Sequence, residues 1–167
     1  VPHSDVHFLV WDWNKRDSTL VTNGSLVQDM VRNENAMRQA GIKSAEMRTF
    51  FIPPYEWWND EISSWFDSSG MYKLFSFTPG TTSNADYTYS EMGASYRSSD
   101  AIMASIKKFN ETREGNLKGV ILLIHAGTDA RRKDKLYNRL DELITYLKKE
   151  GYQFKRVDEL LSGYYYR

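Results

Sequence analysis

Apolar residues recur at helical spacing in four stretches of the chain. Leu26, Val27, Met30, Val31 and Met37 mark one face over Ser25 to Ala40, with Gly41 as the stop. Trp57, Trp58, Ile62, Trp65 and Phe66 repeat the spacing ahead of Ser68-Ser69-Gly70. Ser99 is placed to cap a helix whose face is Ile102, Met103, Ile106 and Phe109. The clearest stripe is Leu136, Tyr137, Leu140, Leu143, Ile144 and Leu147, over Asp134 to Glu150, closed by Gly151. Between these lie apolar runs that read as strands: Ile42 to Phe51, Tyr72 to Thr78, Gly119 to Ile124 and Tyr152 to Val157. The Pro53-Pro54 pair cannot continue a ladder and presents Tyr55 and Glu56 at the end of the first run. Pro79 to Arg97 is a long polar loop carrying Asn84, Asp86 and Tyr87, and loops of that length usually serve a function or are disordered.

Strands alternating with helices imply a parallel α/β architecture with right-handed crossovers, whose active face lies at the carboxyl ends of the strands. Tyr55, the 79–97 loop and His125 all fall at such ends. There is no internal repeat, low-complexity tract or linker, so residues 1–167 read as one unit.

Composition narrows the chemistry. At 41% hydrophobic and 14% aromatic, the chain can build a core. Its 22 basic residues balance 22 acidic ones, so charge offers no argument for nucleic acid or an anionic membrane surface, and a neutral substrate such as a glycan fits better. Without cysteine there are no disulfides and no thiolate metal sites, which leaves histidine and carboxylate as the strong metal ligands. No apolar stretch approaches the roughly 20 residues of a membrane span. The chain does not open on methionine, so an upstream segment, and a signal within it, is expected to precede it.

All three histidines fall inside two short motifs, His3-Ser4-Asp5-Val6-His7 and Leu122-Leu123-Ile124-His125. Two imidazoles four residues apart can turn toward one ion, and a histidine at the end of an apolar strand stands where α/β proteins do chemistry. The competing readings are a frayed terminus for the first motif and a satisfied structural histidine for the second.

Taken in order, these pieces resemble the NodB-type polysaccharide deacetylases, carbohydrate esterase family 4, whose fold is a distorted (β/α) barrel of seven strands. His3-Ser4-Asp5-Val6-His7 matches the family's His-Ser/Thr-x-x-His, and Ile52-Pro53-Pro54-Tyr55 matches its Arg-Pro-Pro-Tyr. Leu123-Ile124-His125 matches its late Leu-x-His, and Gly151-Tyr152-x-Phe154 with Val157-Asp158-Glu159-Leu160-Leu161 is similar to its closing segment. The resemblance implies metal-assisted hydrolysis of acetyl groups on a polysaccharide. His3 and His7 would hold a divalent ion, zinc first, with cobalt or nickel possible. His125 would be the general acid, with Asp86 as its carboxylate partner and Asp100 as a competitor for that place. The backbone amide of Tyr55 would donate to the oxyanion, and Leu123, Tyr87, Pro54 and Trp57 would line the substrate. With a glycan as substrate, a periplasmic or secreted location is expected.

Two departures stand beside the matches. The family's Thr-Phe-Asp-Asp-Gly motif, source of the base and of the third metal ligand, has no counterpart, since no consecutive aspartates occur. The chain is therefore expected to be the C-terminal part of a longer barrel. Ile52 replaces the motif arginine, with Arg48 and Arg97 as candidate substitutes for its charge. The alternative reading is a non-catalytic glycan-binding relative, with Trp11, Trp13, Trp57, Trp58 and Trp65 able to stack on sugars.

Overall fold

The computed structural model describes residues 2–43, 50–70, 72–112 and 116–165. The protein is a mixed α/β chain, about 50% helical, with two parallel strands. It divides into two compact units, Val1–Ser76 and Phe77–Arg167.

In the first unit, residues 10–20 form a tight loop. The Leu20 N–H donates to the Val10 carbonyl (2.9 Å) and the Asp12 N–H to that of Ser18 (3.0 Å), and Trp11 bridges Thr19. Helix α1 (Asn23–Gln39) starts at Thr22, whose hydroxyl accepts from the Ser25 N–H while Ser25 returns the bond, a reciprocal cap. It stops at Gly41, which adopts the left-handed φ of +90° that favours glycine. Strand β1 (Phe50–Phe51) pairs in parallel with β2 (Lys73–Leu74), Phe50 opposite Lys73. Helix α2 (Asp60–Ser69) crosses between them, capped by the Asn59 side chain and ended by left-handed Gly70, to make one βαβ unit. Val10, Trp11, Leu26, Met30, Phe51, Ile62, Phe66 and Tyr72 form the core. The helical spacing of the tryptophans begins too early in the sequence reading. Trp57 and Trp58 precede α2, because the Asn59 cap fixes its start.

The second unit holds α3 (Ser99–Thr112), α4 (Leu140–Lys149) and α5 (Val157–Tyr165), with a 3-10 turn at Leu136–Arg139 leading into α4. Its core is Ile102, Met103, Ile106, Leu117, Leu136, Leu143 and Leu147. Ser98 supplies the cap expected of Ser99, accepting from the Ala101 N–H at 3.1 Å, while the Ser99 N–H goes to the Asp134 carboxylate. The 79–97 segment is built of two 3-10 turns, Ser83–Tyr87 and Ser90–Ser95, with Thr81, Ser83, Asp86 and Thr88 buried.

Two expected strands take no ladder among the described residues. Residues 120–125 run without regular structure, tied to Thr78 by its N–H to the Ile121 carbonyl (2.9 Å) and by the Ile121 N–H to its hydroxyl (3.0 Å). Residues 152–156 likewise form no strand, and Phe154 is exposed. An apolar run becomes a strand only when a neighbour pairs with its backbone. A seven-stranded barrel is not among the described residues, whose paired sheet is β1–β2.

Candidate functional site

The predicted site residues fall into two sets, one in each unit. In the first unit, His3 and His7 stand with ring centroids 4.9 Å apart at 64°, and His7 stands 5.0 Å from the ring of Tyr55. His3 Nδ1 lies 2.6 Å from the Ile52 carbonyl. A carbonyl only accepts, so Nδ1 carries the proton and Nε2 is the nitrogen suited to a metal, the arrangement usual for ligating histidines. Two rings at this separation can share one ion at the ~2.0–2.1 Å typical of zinc–imidazole bonds. Among the described residues, no group of three or more histidine, cysteine or carboxylate side chains could hold an ion, and catalytic zinc usually takes three protein ligands.

The motif loop is held by residues that sequence reading passed over. Asp29, on α1 and only 1% exposed, accepts from the Ser4 hydroxyl (2.7 Å) and the backbone N–H groups of Asp5 (3.2 Å) and Val6 (3.1 Å). Ser4 in turn accepts from the His7 N–H at 2.9 Å. One turn further along α1, Asn33 donates to the Ser4 carbonyl (3.1 Å) and accepts from the His3 N–H (3.3 Å). Arg32 closes the clamp on Asp5 at 2.9 Å. The available signal was a charged residue inside a buried stripe, since Leu26, Asp29 and Met30 are the buried positions of α1.

Backbone strain gathers at the same places. His7 (φ +52°), Tyr55 (φ +61°) and Glu56 (φ +53°) are non-glycine residues in the left-handed region, and Thr82 (φ +55°) opens the turn that carries Asp86. Such conformations persist only where surrounding structure over-determines them, and they cluster at ligand sites. Pro54 is buried beneath this turn, while Tyr55 and Trp57 are exposed.

In the second unit, Asp86 and His125 form a two-point contact. His125 Nδ1 lies 2.6 Å from one carboxylate oxygen of Asp86, and the His125 backbone N–H donates to the other at 2.8 Å. Asp86 is 1% exposed and its partner side chain 32%, so a buried carboxylate orients a reachable imidazole. The competitor Asp100 is instead engaged by Arg139 at 2.5 Å and lies in solvent. The exposed Tyr87 ring stands 5.8 Å from His125 at 70°. Leu122 and Ile124 pack on the core, and Leu123 between them is half-buried.

Arg132 was also missed, and its place is structural to the site. Its buried guanidinium donates to the Thr88 carbonyl, to that of Arg97 (3.0 Å) and to the Ser99 hydroxyl (3.3 Å). It thereby binds the end of the Asp86 segment to the loop that follows His125. Asp134, 3.7 Å from Arg132, is pushed up by burial, but the hydrogen bonds from Ser99 and the charges of Arg132 and Arg139 outweigh this and hold its carboxyl below the usual range. Nearby, the Arg131 side chain bonds Asp129 and lowers its carboxyl likewise. Of the two cations considered in place of the motif arginine, Arg97 donates to the Ala94 and Tyr96 carbonyls (both 2.8 Å), and Arg48 lies outside the described residues. No helix among the described residues is long and apolar enough to cross a membrane.

Compared with models of known families the chain matches none, and a search of curated proteins likewise finds no match.

Proposed function

We propose that the protein is a metal-dependent polysaccharide deacetylase of NodB type, hydrolysing N-acetyl or O-acetyl groups of a glycan outside the cytoplasm, and that these residues belong to a (β/α)7 barrel. The observation that carries the reading is the Asp86–His125 contact. A carboxylate on Nδ1 fixes the ring with Nε2 presented and stabilises the imidazolium, which is what a general acid for an amine or alkoxide leaving group needs. The paired imidazoles of His3 and His7 add support from the first unit.

In this reading His3 and His7 hold a divalent ion, with zinc first and cobalt or nickel allowed by the same ligand chemistry; when bound it supplies polarisation of the acetyl carbonyl and activation of water. The Tyr55 backbone N–H donates to the developing oxyanion, and Leu123 and Tyr87 enclose the acetyl methyl. Pro54 and Trp57 border the sugar. His125 delivers its proton to the leaving nitrogen or oxygen as the carbon–heteroatom bond breaks, releasing acetate. In this reading the base that takes the proton of water, and the third ligand, belong to an Asp-Asp segment, and no consecutive aspartates occur in the sequence. The deciding experiment follows acetate release from an N-acetylated oligosaccharide by the polypeptide that carries such a segment ahead of this chain. His125→Ala is expected to lower the rate by a factor on the order of 10² to 10⁴, and an undiminished rate would remove His125 from the mechanism.

A non-catalytic glycan-binding relative is the second reading. It is favoured by Ile52, an uncharged residue where a deacetylase pairs its base with arginine. Sugar binding without acetate release from the longer polypeptide would select it.

A further inference from the structure

We infer that the first unit carries a stacking subsite for a second sugar residue, formed by Trp13 and Tyr55 beside the histidine pair, so that the protein engages a glycan chain rather than a single acetylated sugar. The inference rests on the polysaccharide reading and extends it to Trp13, which no motif includes, and to the side-chain ring of Tyr55.

The rings form an unbroken series. From His7 the next ring is Tyr55 at 5.0 Å, then Trp13 at 5.8 Å from Tyr55, then Trp11 at 4.5 Å from Trp13 and Trp57 at 5.8 Å from Trp11. Arg16 lies over Trp57 at 4.6 Å and over Trp11 at 5.3 Å, so those two rings are partly covered. Trp13 and Tyr55 remain open, 58% and 42% exposed, and meet at 78° as the two walls of a corner.

Neither residue is exposed by looseness. Trp13 sits in the 10–20 loop, where Asp12 accepts from the N–H groups of Asn14 (2.7 Å) and Lys15 (3.2 Å) and the strand-like bonds of Val10 and Asp12 close the base. Its neighbour Trp11 is buried, and contacts with the rings of Trp13 and Trp57 and with Arg16 hold it. Tyr55 is turned outward by two consecutive left-handed residues. A rigid loop that keeps a tryptophan in solvent, opposite a tyrosine placed by strained backbone, is a prepared surface.

The occupant is a neutral pyranose. Its apolar C–H face matches an aromatic face, its hydroxyls suit the polar rim of Asp12, Lys15 and Arg16, and with Asp17 counted the loop balances two acidic against two basic residues, which gives no reason to select an ion. The steps from His7 to Tyr55 (5.0 Å) and from Tyr55 to Trp13 (5.8 Å) put Trp13 within about two ring widths of the histidine pair, so sugars of one chain can reach both.

The test uses the chain labelled with nitrogen-15, titrated with N-acetylglucosamine and with the tetrasaccharide of N-acetylglucosamine. The expected result is a shift of the Trp13 indole N–H by the tetrasaccharide and not by the monosaccharide. Trp13→Ala should weaken tetrasaccharide binding about tenfold, about 1.4 kcal/mol, and Trp13→Phe should keep most of the affinity by retaining a ring face. An unmoved Trp13 signal at millimolar tetrasaccharide, an alanine variant that binds like wild type, or a shift that follows protein concentration in place of sugar each overturns the inference. Zinc titration followed at the His3 and His7 rings reads the deacetylase proposal separately. Zinc response without Trp13 response sinks the subsite alone, and Trp13 response with no zinc response in the polypeptide that also carries the Asp-Asp segment sinks the metal site alone.

Discussion

Removing the Asp29 carboxylate should release the loop that carries both N-terminal histidines. In Asp29→Ala the Ser4 hydroxyl and the Asp5 and Val6 amides lose their common acceptor. A hydrogen bond to a charged group contributes about 1.5–3 kcal/mol and a weaker one about 1. The Ser4 bond is short, while the two amide bonds are longer and only partly buried. Their sum cannot be taken in full, because the freed amides regain water and Asn33 still holds the Ser4 carbonyl and the His3 N–H. A loss of about 2–4 kcal/mol of local stability follows. At 1.4 kcal/mol per decade, the middle of that range speeds exchange of the Asp5, Val6 and His7 amides by a factor on the order of 10².

Amide hydrogen exchange read by nuclear magnetic resonance reports those three positions directly, with the amides of α2 as an internal reference. Asp29→Asn should fall between wild type and alanine, since an amide presents one accepting oxygen and turns its NH₂ toward donors. Unchanged exchange at Asp5 and Val6 in the alanine variant would refute the idea that Asp29 organises the loop. If His3 and His7 hold an ion, the same variant should weaken zinc binding about 10–100-fold, as loss of supporting hydrogen bonds does at other metal sites.

Arg132→Met should destabilise the second unit by about 2–4 kcal/mol, since it strands the Thr88 and Arg97 carbonyls and the Ser99 hydroxyl in a buried setting. Arg132→Lys should recover only part of this, because one ammonium cannot span the fork; equal denaturation midpoints for wild type and the methionine variant would contradict the assignment. Asp134 supplies the pH dependence. Its carboxyl is lowered in the folded chain, so its contribution is present above the unfolded value of about 3.9 and fades as pH falls through the folded value. With 39% of the side chain exposed, the effect is discounted to under about 1 kcal/mol. The difference in urea midpoint between wild type and Asp134→Asn should accordingly be present at pH 7 and shrink toward pH 3, and a difference that grows on acidification would reverse the sign.

How much of this was legible in the sequence depended on whether the information was local. Helices α1 and α2 were readable because apolar stripes and stops act over a few residues, as Leu26 and Met30 with Gly41 and Ile62 and Phe66 with Gly70 show, while the Thr22 and Asn59 caps that set their starts went unread. The strands were not, since a ladder depends on a distant partner: the apolar run 119–124 has the composition of a buried strand, yet its described backbone bonds reach Leu117 and Thr78 and form no ladder. The tryptophan spacing at 57 and 58 matched a helix by coincidence. One cap was misplaced by a residue, because Ser98 and Ser99 are chemically equivalent until Asp134 claims the Ser99 N–H.

The same distinction explains which site residues could be named in advance. His3, His7 and His125 were visible as motifs, and Asp86 was favoured over Asp100 only by resemblance; geometry now separates the two, since one faces His125 and the other faces Arg139 in solvent. Asp29, Asn33 and Arg132 were passed over for a common reason. Periodicity assigns polar residues to the solvent side of a helix or loop, whereas each of these turns inward to satisfy backbone groups 23 to 44 residues away. Their role is to fix loops that would otherwise have no ladder to hold them. A motif therefore names the groups suited to a reaction, and the buried polar residues that the motif omits decide whether those groups are held in position. The substitutions at Asp29 and Arg132 measure that second property without requiring the reaction to occur.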